Sequence, residues 1–407
     1  MVFIIITLIY TTFLAKIPRF STLTNFLLLG WAVAIMFLEF KKDGTLAIKR
    51  YKYPLVIFFL LGFVTIFLMK GKVGNLKLWA SLWIQFFILF SEVRINSKYV
   101  IVKELSTLCK TYIIISFVAS FVTLVMYALD INFVFMKERY GMTPYGAYTG
   151  VYTGSNTEAL VACLSIIITL LILKLKVTNK IGVIFYFFNI GIQLIVLNMS
   201  KGRGAMVGLL AYAIVYLFVL IKSQRHRFTY VIYLALGGGL GAFILSRWGG
   251  YLVNKSEGLG FFGGRLSLWS QGLKVVKSNF FYGVGVSNVV EEVKKVATKP
   301  LPGIEGGAMH NIYIQTAVSN GGIALLLILV FFIFISALMY KTLVKYKVNN
   351  VEKKILASIF ALTIAIYVIN FVEANMLYVA NFVATVYWIF LGYGITIVKN
   401  SKASENK

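Results

Sequence analysis

The sequence predicts an all-α, polytopic integral membrane protein, with about twelve transmembrane helices and one large extracytoplasmic loop. Three observations lead there. Apolar runs of roughly 17 residues or more, long enough to cross a bilayer as helices, recur along the chain. Mean hydropathy is +0.85 and charged residues make up only 13% of the chain, about half the share of a typical soluble domain. Alternating strand-length segments, which a membrane barrel would need, are absent.

The candidate spans fall at about 2–15, 22–38, 54–69, 77–91, 111–129, 157–173, 181–199, 204–221, 229–246, 311–340, 355–372 and 376–398. No basic stretch precedes the first run, so it reads as a span rather than a cleaved signal peptide. The long run at 311–340 calls for tilt or an interfacial overhang. Most of the 40 Lys and Arg lie in the connections, so the net charge of +26 sets orientation, and nucleic acid is excluded as a partner. With the one long loop set aside, these cations concentrate on the side shared by both termini, which is therefore cytoplasmic. Lys201 and Arg203, in the tight turn NMSKGRGAMVG (198–208), then face out. Cys109 and Cys163 are too isolated for a metal pattern and read as packing residues.

The long outer loop, 247–309, is the only sizeable piece outside the spans. In RLSLWSQGLKVVK (265–277), Leu266, Trp269, Leu273 and Val276 recur at helical spacing, with Lys274 and Lys277 off that face. Such a helix either lies on the membrane surface or simply connects two spans, and periodicity fits both.

Only two histidines are present. His226 sits in the basic turn QRHRF on the inner side, an anchoring position. His310 opens HNIYIQTAVSNGG at the outer mouth of a span, the one imidazole near outward-facing arginines. The carboxylates outside the spans (Asp130, Glu138, Glu158, Glu257, Glu291, Glu292, Glu305 and Glu373) form no metal-holding or paired glycosidase-like motif. GLGFFG (258–263) satisfies a dinucleotide pattern on paper. It follows no strand and has no acidic residue at the required offset, so it is discarded.

What remains is a constellation of cations at membrane level: Lys201, Arg203, Arg265 and His310. Arginine's planar fork suits phosphate oxygens and keeps its charge in a dry site. Gly202 and Gly204 flank Arg203, which would let a bulky anion approach the backbone at a helix N-terminus. The pattern suggests an anion such as a pyrophosphate, held without metal; contact with lipid headgroups is the plain alternative.

SKGRGA (200–205), GGRLSLW (263–269) with GVG (283–285), and HNIYIQ (310–315) with Gly321 resemble successive signatures of the bacterial O-antigen ligase and O-antigen polymerase family. GVYTGSNTEAL (150–160), with Asn156, is similar to a fourth. The resemblance implies a GT-C-like membrane glycosyltransferase without cofactor or metal, drawing glycan from a polyprenyl-pyrophosphate carrier. It implies that Arg203 and Arg265 hold the pyrophosphate and that His310 assists the attacking hydroxyl, the three forming the catalytic set. Ser200, Lys201, Asn156, Trp269, Asn311 and Tyr313 are the expected substrate contacts. Three positions depart from the pattern. Ser319 stands where an acidic residue is usual, no proline precedes GVG, and no arginine precedes Gly150; these bear on the acceptor side more than the donor side.

The reading is therefore a polysaccharide polymerase of the bacterial plasma membrane, with its site on the extracytoplasmic face, joining repeat units of capsule, exopolysaccharide or O-antigen. Its partners are the lipid-linked oligosaccharide and membrane lipids, with a flippase and a chain-length regulator as further expected partners. A ligase that moves finished glycan to lipid A or another acceptor is the alternative in the same class. A lipid-linked oligosaccharide flippase is the alternative from another class; it would need charged or broken helices mid-membrane.

Overall fold

A computed structural model describes the chain except for residues 18, 44–49, 91–97, 145, 176, 178, 253–264, 299–300, 302–303, 305–308, 346–349 and 406–407. GLGFFG and the Gly263–Gly264 pair before Arg265 lie outside the described residues. The fold is all-α and polytopic. Among the described residues there are fourteen helices, α1 (Val2–Ile9), α2 (Phe20–Asp43), α3 (Tyr53–Leu68), α4 (Lys72–Trp83), α5 (Lys98–Ala128), α6 (Ser155–Leu175), α7 (Lys180–Met199), α8 (Arg203–Leu220), α9 (Gln224–Leu252), α10 (Arg265–Ser278), α11 (Val289–Val296), α12 (Ile312–Lys345), α13 (Asn350–Ile369) and α14 (Phe382–Glu405). A short hairpin pairs β1 (Phe133–Phe135) with β2 (Glu138–Tyr140).

Among the described residues, six helical segments are long and apolar enough to cross a membrane: 100–128, 155–175, 180–199, 203–220, 312–344 and 382–402; Thr22–Leu38 and Tyr53–Leu68 are shorter apolar helices. The expected span at 2–15 is not one. α1 has eight residues, about 12 Å of helix against a 30 Å core. It stops because Tyr10–Thr12 turn, Phe13 N–H bonds to the Val151 carbonyl, and Thr153 N–H bonds to that of Thr11. Other boundaries move. α5 starts at Lys98 rather than 111, α9 runs to Leu252, into the expected outer loop, and α14 starts at Phe382 rather than 376.

α5, α6 and α7 pack through hydrogen bonds between uncharged side chains. Ser116 bonds to Ser165 at 2.8 Å, Asn189 donates to Thr169 at 2.9 Å, and Ser120 donates to Gln193 at 3.0 Å. These groups satisfy one another between packed helices, as polar residues in membrane bundles do. Cys109 and Cys163 are buried free thiols, as packing residues should be. α8 lies along α13, with Gly208 set directly against Ile369.

The segment after α9 carries a small core of its own: Leu268, Val275, Val284, Val289, Val293, Ile304, Met309 and Val318. α10 faces it with Leu268, Trp269, Gly272 and Val275, while Leu266 and Leu273 are exposed. The predicted apolar face of Leu266, Trp269, Leu273 and Val276 is thus divided. Periodicity alone admits a stripe rotated by one residue, and Gly272 lets α10 approach Met309 closely enough to select that rotation.

The glycines of the GVG and Gly321 motifs serve a backbone crossing. Val284 and Gly285 donate to the carbonyls of Val318 and Ser319, at 2.9 Å each, and Gly322 donates to Phe280 at 2.6 Å. Gly283 and Gly321 have φ of +67° and +90°, which a side chain resists. Gly321 also interrupts the helical geometry of α12.

Candidate functional site

The site gathers at the end of the bundle where α8, α10 and α12 begin and α13 ends. The cation turn is seated first. Gly202 lies against the Ala159 side chain on the first turn of α6, and a Cβ at Gly204 would come 2.8 Å from Val372. Both glycines are therefore filled by neighbouring protein. They permit close packing of the turn, which corrects the expectation that they leave room for an anion to approach the backbone. Lys201 takes a left-handed φ of +53°, and Lys201 and Arg203 are exposed.

Arg265, the first residue of α10, reaches the segment after α13. Its Nη1 donates to the Val372 carbonyl and its Nη2 lies 3.0 Å from Oε1 of Glu373. Val372 is thus the common neighbour of the Arg203 turn, through Gly204, and of the Arg265 guanidinium. A guanidinium carries five N–H donors, so two such contacts leave donors for a ligand.

His310 completes the cluster, with Nδ1 3.7 Å from the other Glu373 oxygen, Oε2. Its backbone is left-handed at φ +47°, a strained conformation for a non-glycine residue. Contacts on both sides hold it there. Met309 N–H donates to Gln315 at 2.8 Å, and the Met309 carbonyl accepts the Trp269 indole N–H at 2.9 Å. Asn311 caps α12 by accepting from the N–H groups of Tyr313 and Ile314, at 3.0 Å each, while Ile312 donates to the Asn370 carbonyl at 2.9 Å.

Glu373 went unrecognised as a site residue. It is the only charged residue between 355 and 398, a signal available from sequence but assigned to a short connection. Its segment is pinned by Ser81 donating to Tyr378, by Gln85 donating to Val379 at 2.8 Å, and by the Tyr378 hydroxyl donating to Asn320 at 2.6 Å. The pair is largely buried, with side-chain exposure of 21% for Arg265 and 11% for Glu373.

A cavity of about 700 Å³ opens beside this cluster, walled by Gly204, Trp269, Tyr313, Tyr367, Phe371 and Val372 among others, and its lining is overwhelmingly apolar. The other expected contacts divide. Asn311, Tyr313 and Trp269 line the cavity while also holding backbone or helix. Ser200 is buried, its hydroxyl donating to Leu197 at 2.8 Å. Asn156 is exposed on the first turn of α6, and Glu158, two residues on, is buried. The loop leading to that helix is tied to the cation turn, because Tyr148 N–H donates to the Met199 carbonyl. Burial, chiefly, pushes the Tyr148 phenol up to about 12. His226 is exposed near the start of α9. No group of His, Cys, Asp and Glu that could hold a metal occurs among the described residues.

Fold and site together define a polytopic helical membrane protein with a cationic cluster beside an apolar cavity. The model of the family described as O-antigen ligase matches residues 188–329, about a third of the chain, from α7 into α12. Arg203, Arg265 and His310 lie inside the matched region, and Glu373 lies beyond it. Comparison with curated proteins returns no match.

Proposed function

We propose that the protein is a membrane glycosyltransferase of the bacterial plasma membrane, acting on its extracytoplasmic face, that polymerises polyprenyl-pyrophosphate-linked repeat units. One observation carries this reading. Arg265, His310 and Glu373 meet, and Val372, which Arg265 contacts and the Arg203 turn packs against through Gly204, lines an apolar cavity beside them. An isoprenoid tail needs apolar walls, its pyrophosphate needs fixed cations, and a sugar hydroxyl needs a base. All three requirements converge on one place.

In the proposed reaction the acceptor hydroxyl attacks the anomeric carbon of the donor glycan. The bond from that carbon to the pyrophosphate oxygen breaks, and polyprenyl pyrophosphate leaves with the electron pair. Arg203, Arg265 and Lys201 stabilise the charge that builds on it, as preorganised donors in a dry site can. His310 accepts the hydroxyl proton at Nε2. The opposite ring nitrogen, Nδ1, faces Glu373 across 3.7 Å. Glu373 also fixes the Arg265 fork, whose free donors then meet the phosphate.

Purified protein in liposomes, supplied with lipid-linked single repeats, should release polyprenyl pyrophosphate and lengthen glycan. Failure of the wild-type protein to do either would refute the reading. The family description favours a ligase as the second reading. A ligase would consume finished polymer and a non-carrier acceptor while leaving single repeats unjoined.

A further inference from the structure

A second hollow, of about 450 Å³, runs along the exposed flank of α10. Leu266, Leu273 and Ile314 form its apolar floor, Trp269 its inner wall, and Lys274 and Lys277 its rim. Trp269 and Ile314 also line the larger cavity, so the two hollows share a wall. Both lysines are exposed, and among the described residues neither is paired with a carboxylate.

We propose that this trough anchors the acceptor, a second isoprenoid diphosphate-linked glycan, with its diphosphate held by Lys274 and Lys277. This rests on the polymerase reading above. The chemistry separates the two anchors in space. The donor's pyrophosphate must sit at the reacting carbon, because the broken bond ends there. The acceptor reacts through a sugar at the far end of its glycan, so its diphosphate belongs a glycan's length away. Nine and twelve residues of helix put Lys274 and Lys277 roughly 13–18 Å along α10 from Arg265. The residue types agree. A developing leaving group calls for arginine's fixed fork, whereas an anchor that only holds charge is served by lysine. Exposed leucines beneath the lysines accept an isoprenoid tail, and α10 itself carries Trp269, which holds the carbonyl beside His310. One helix thus joins both anchors to the base.

The test is native mass spectrometry of the full-length protein in phosphatidylcholine nanodiscs, titrated with geranylgeranyl diphosphate. Two molecules should bind per chain. Lys274→Glu with Lys277→Glu should weaken one of the two by about tenfold or more and spare the other. Arg203→Lys with Arg265→Lys should do the reverse. Lys274→Gln with Lys277→Gln, which removes charge without reversing it, should give the same pattern at unchanged thermal stability. Two molecules bound equally by the wild type and both lysine variants would overturn the trough assignment and leave the donor site standing. Phosphatidylglycerol displacing the lysine-dependent molecule at equal concentration would also overturn it, marking the trough as a surface for bulk anionic lipid. No binding by the wild type would overturn the donor reading and this inference together.

Discussion

Nη2 of Arg265 lies 3.0 Å from Oε1 of Glu373 although 108 residues separate them. The other carboxylate oxygen faces His310, so one side chain ties the first residue of α10 to the entry of α12. Glu373→Gln keeps the shape and removes the charge. A hydrogen bond to a charged group contributes about 1.5–3 kcal/mol, so activity should fall roughly ten- to a hundredfold. The check is glycan extension per mole of purified protein, with thermal unfolding alongside. Full activity in Glu373→Gln would show the pair to be a packing feature.

The arginines should matter by geometry as well as charge. Arg203→Lys and Arg265→Lys are each expected to lose most polymer at normal membrane abundance, because an ammonium cannot reproduce a bidentate guanidinium contact. Normal amounts of long-chain product from both variants would remove the pyrophosphate assignment.

His310→Ala is expected to abolish chain extension while lipid-linked single repeats accumulate, since a placed general base typically contributes about a hundredfold or more. His226→Ala, exposed near the start of α9, should leave polymer length unchanged. A well-expressed His310→Ala protein that extends chains at the normal rate would rule out the base.

Topology can be read by thiol labelling with little background, because Cys109 and Cys163 are both buried. Ser200, buried at 1% exposure, is a poor reporter despite its place in the turn. Ser278 and Ser223 are both exposed. Ser278→Cys should react with an impermeant reagent in intact cells and Ser223→Cys should not. The opposite pattern would put the site on the cytoplasmic face.

Gly283→Ala tests the backbone crossing. A Cβ there would strike the Ser319 backbone, and φ of +67° is strained for alanine. The substitution should destabilise the α10–α12 region by about 1–3 kcal/mol, seen as a lower unfolding temperature and faster proteolysis between 265 and 309. An unchanged protease pattern would contradict the crossing.

Local chemistry was legible where it is written in contiguous residues. SKGRGA, RLSLW and HNIYIQ drew attention to Arg203, Arg265 and His310, which lie at one end of the bundle, because a turn between apolar runs is confined to a membrane face. Glu373 escaped because its role depends on where α13 stops and how the next dozen residues fold back onto Ser81, Gln85 and Asn320. None of those contacts has a sequence period.

By itself the sequence determined the all-α membrane class, since hydropathy and run length follow from composition alone, and it named the arginines and histidine a pyrophosphate chemistry would need. Only the tertiary structure decided that the first apolar run is not a span, that α10 buries Leu268 and Val275 while exposing Leu266 and Leu273, and that Gly202 and Gly204 are filled by Ala159 and Val372. Each of these turns on which surfaces meet. A helical period specifies that a face is apolar, and close packing between distant segments specifies which face is covered and by what.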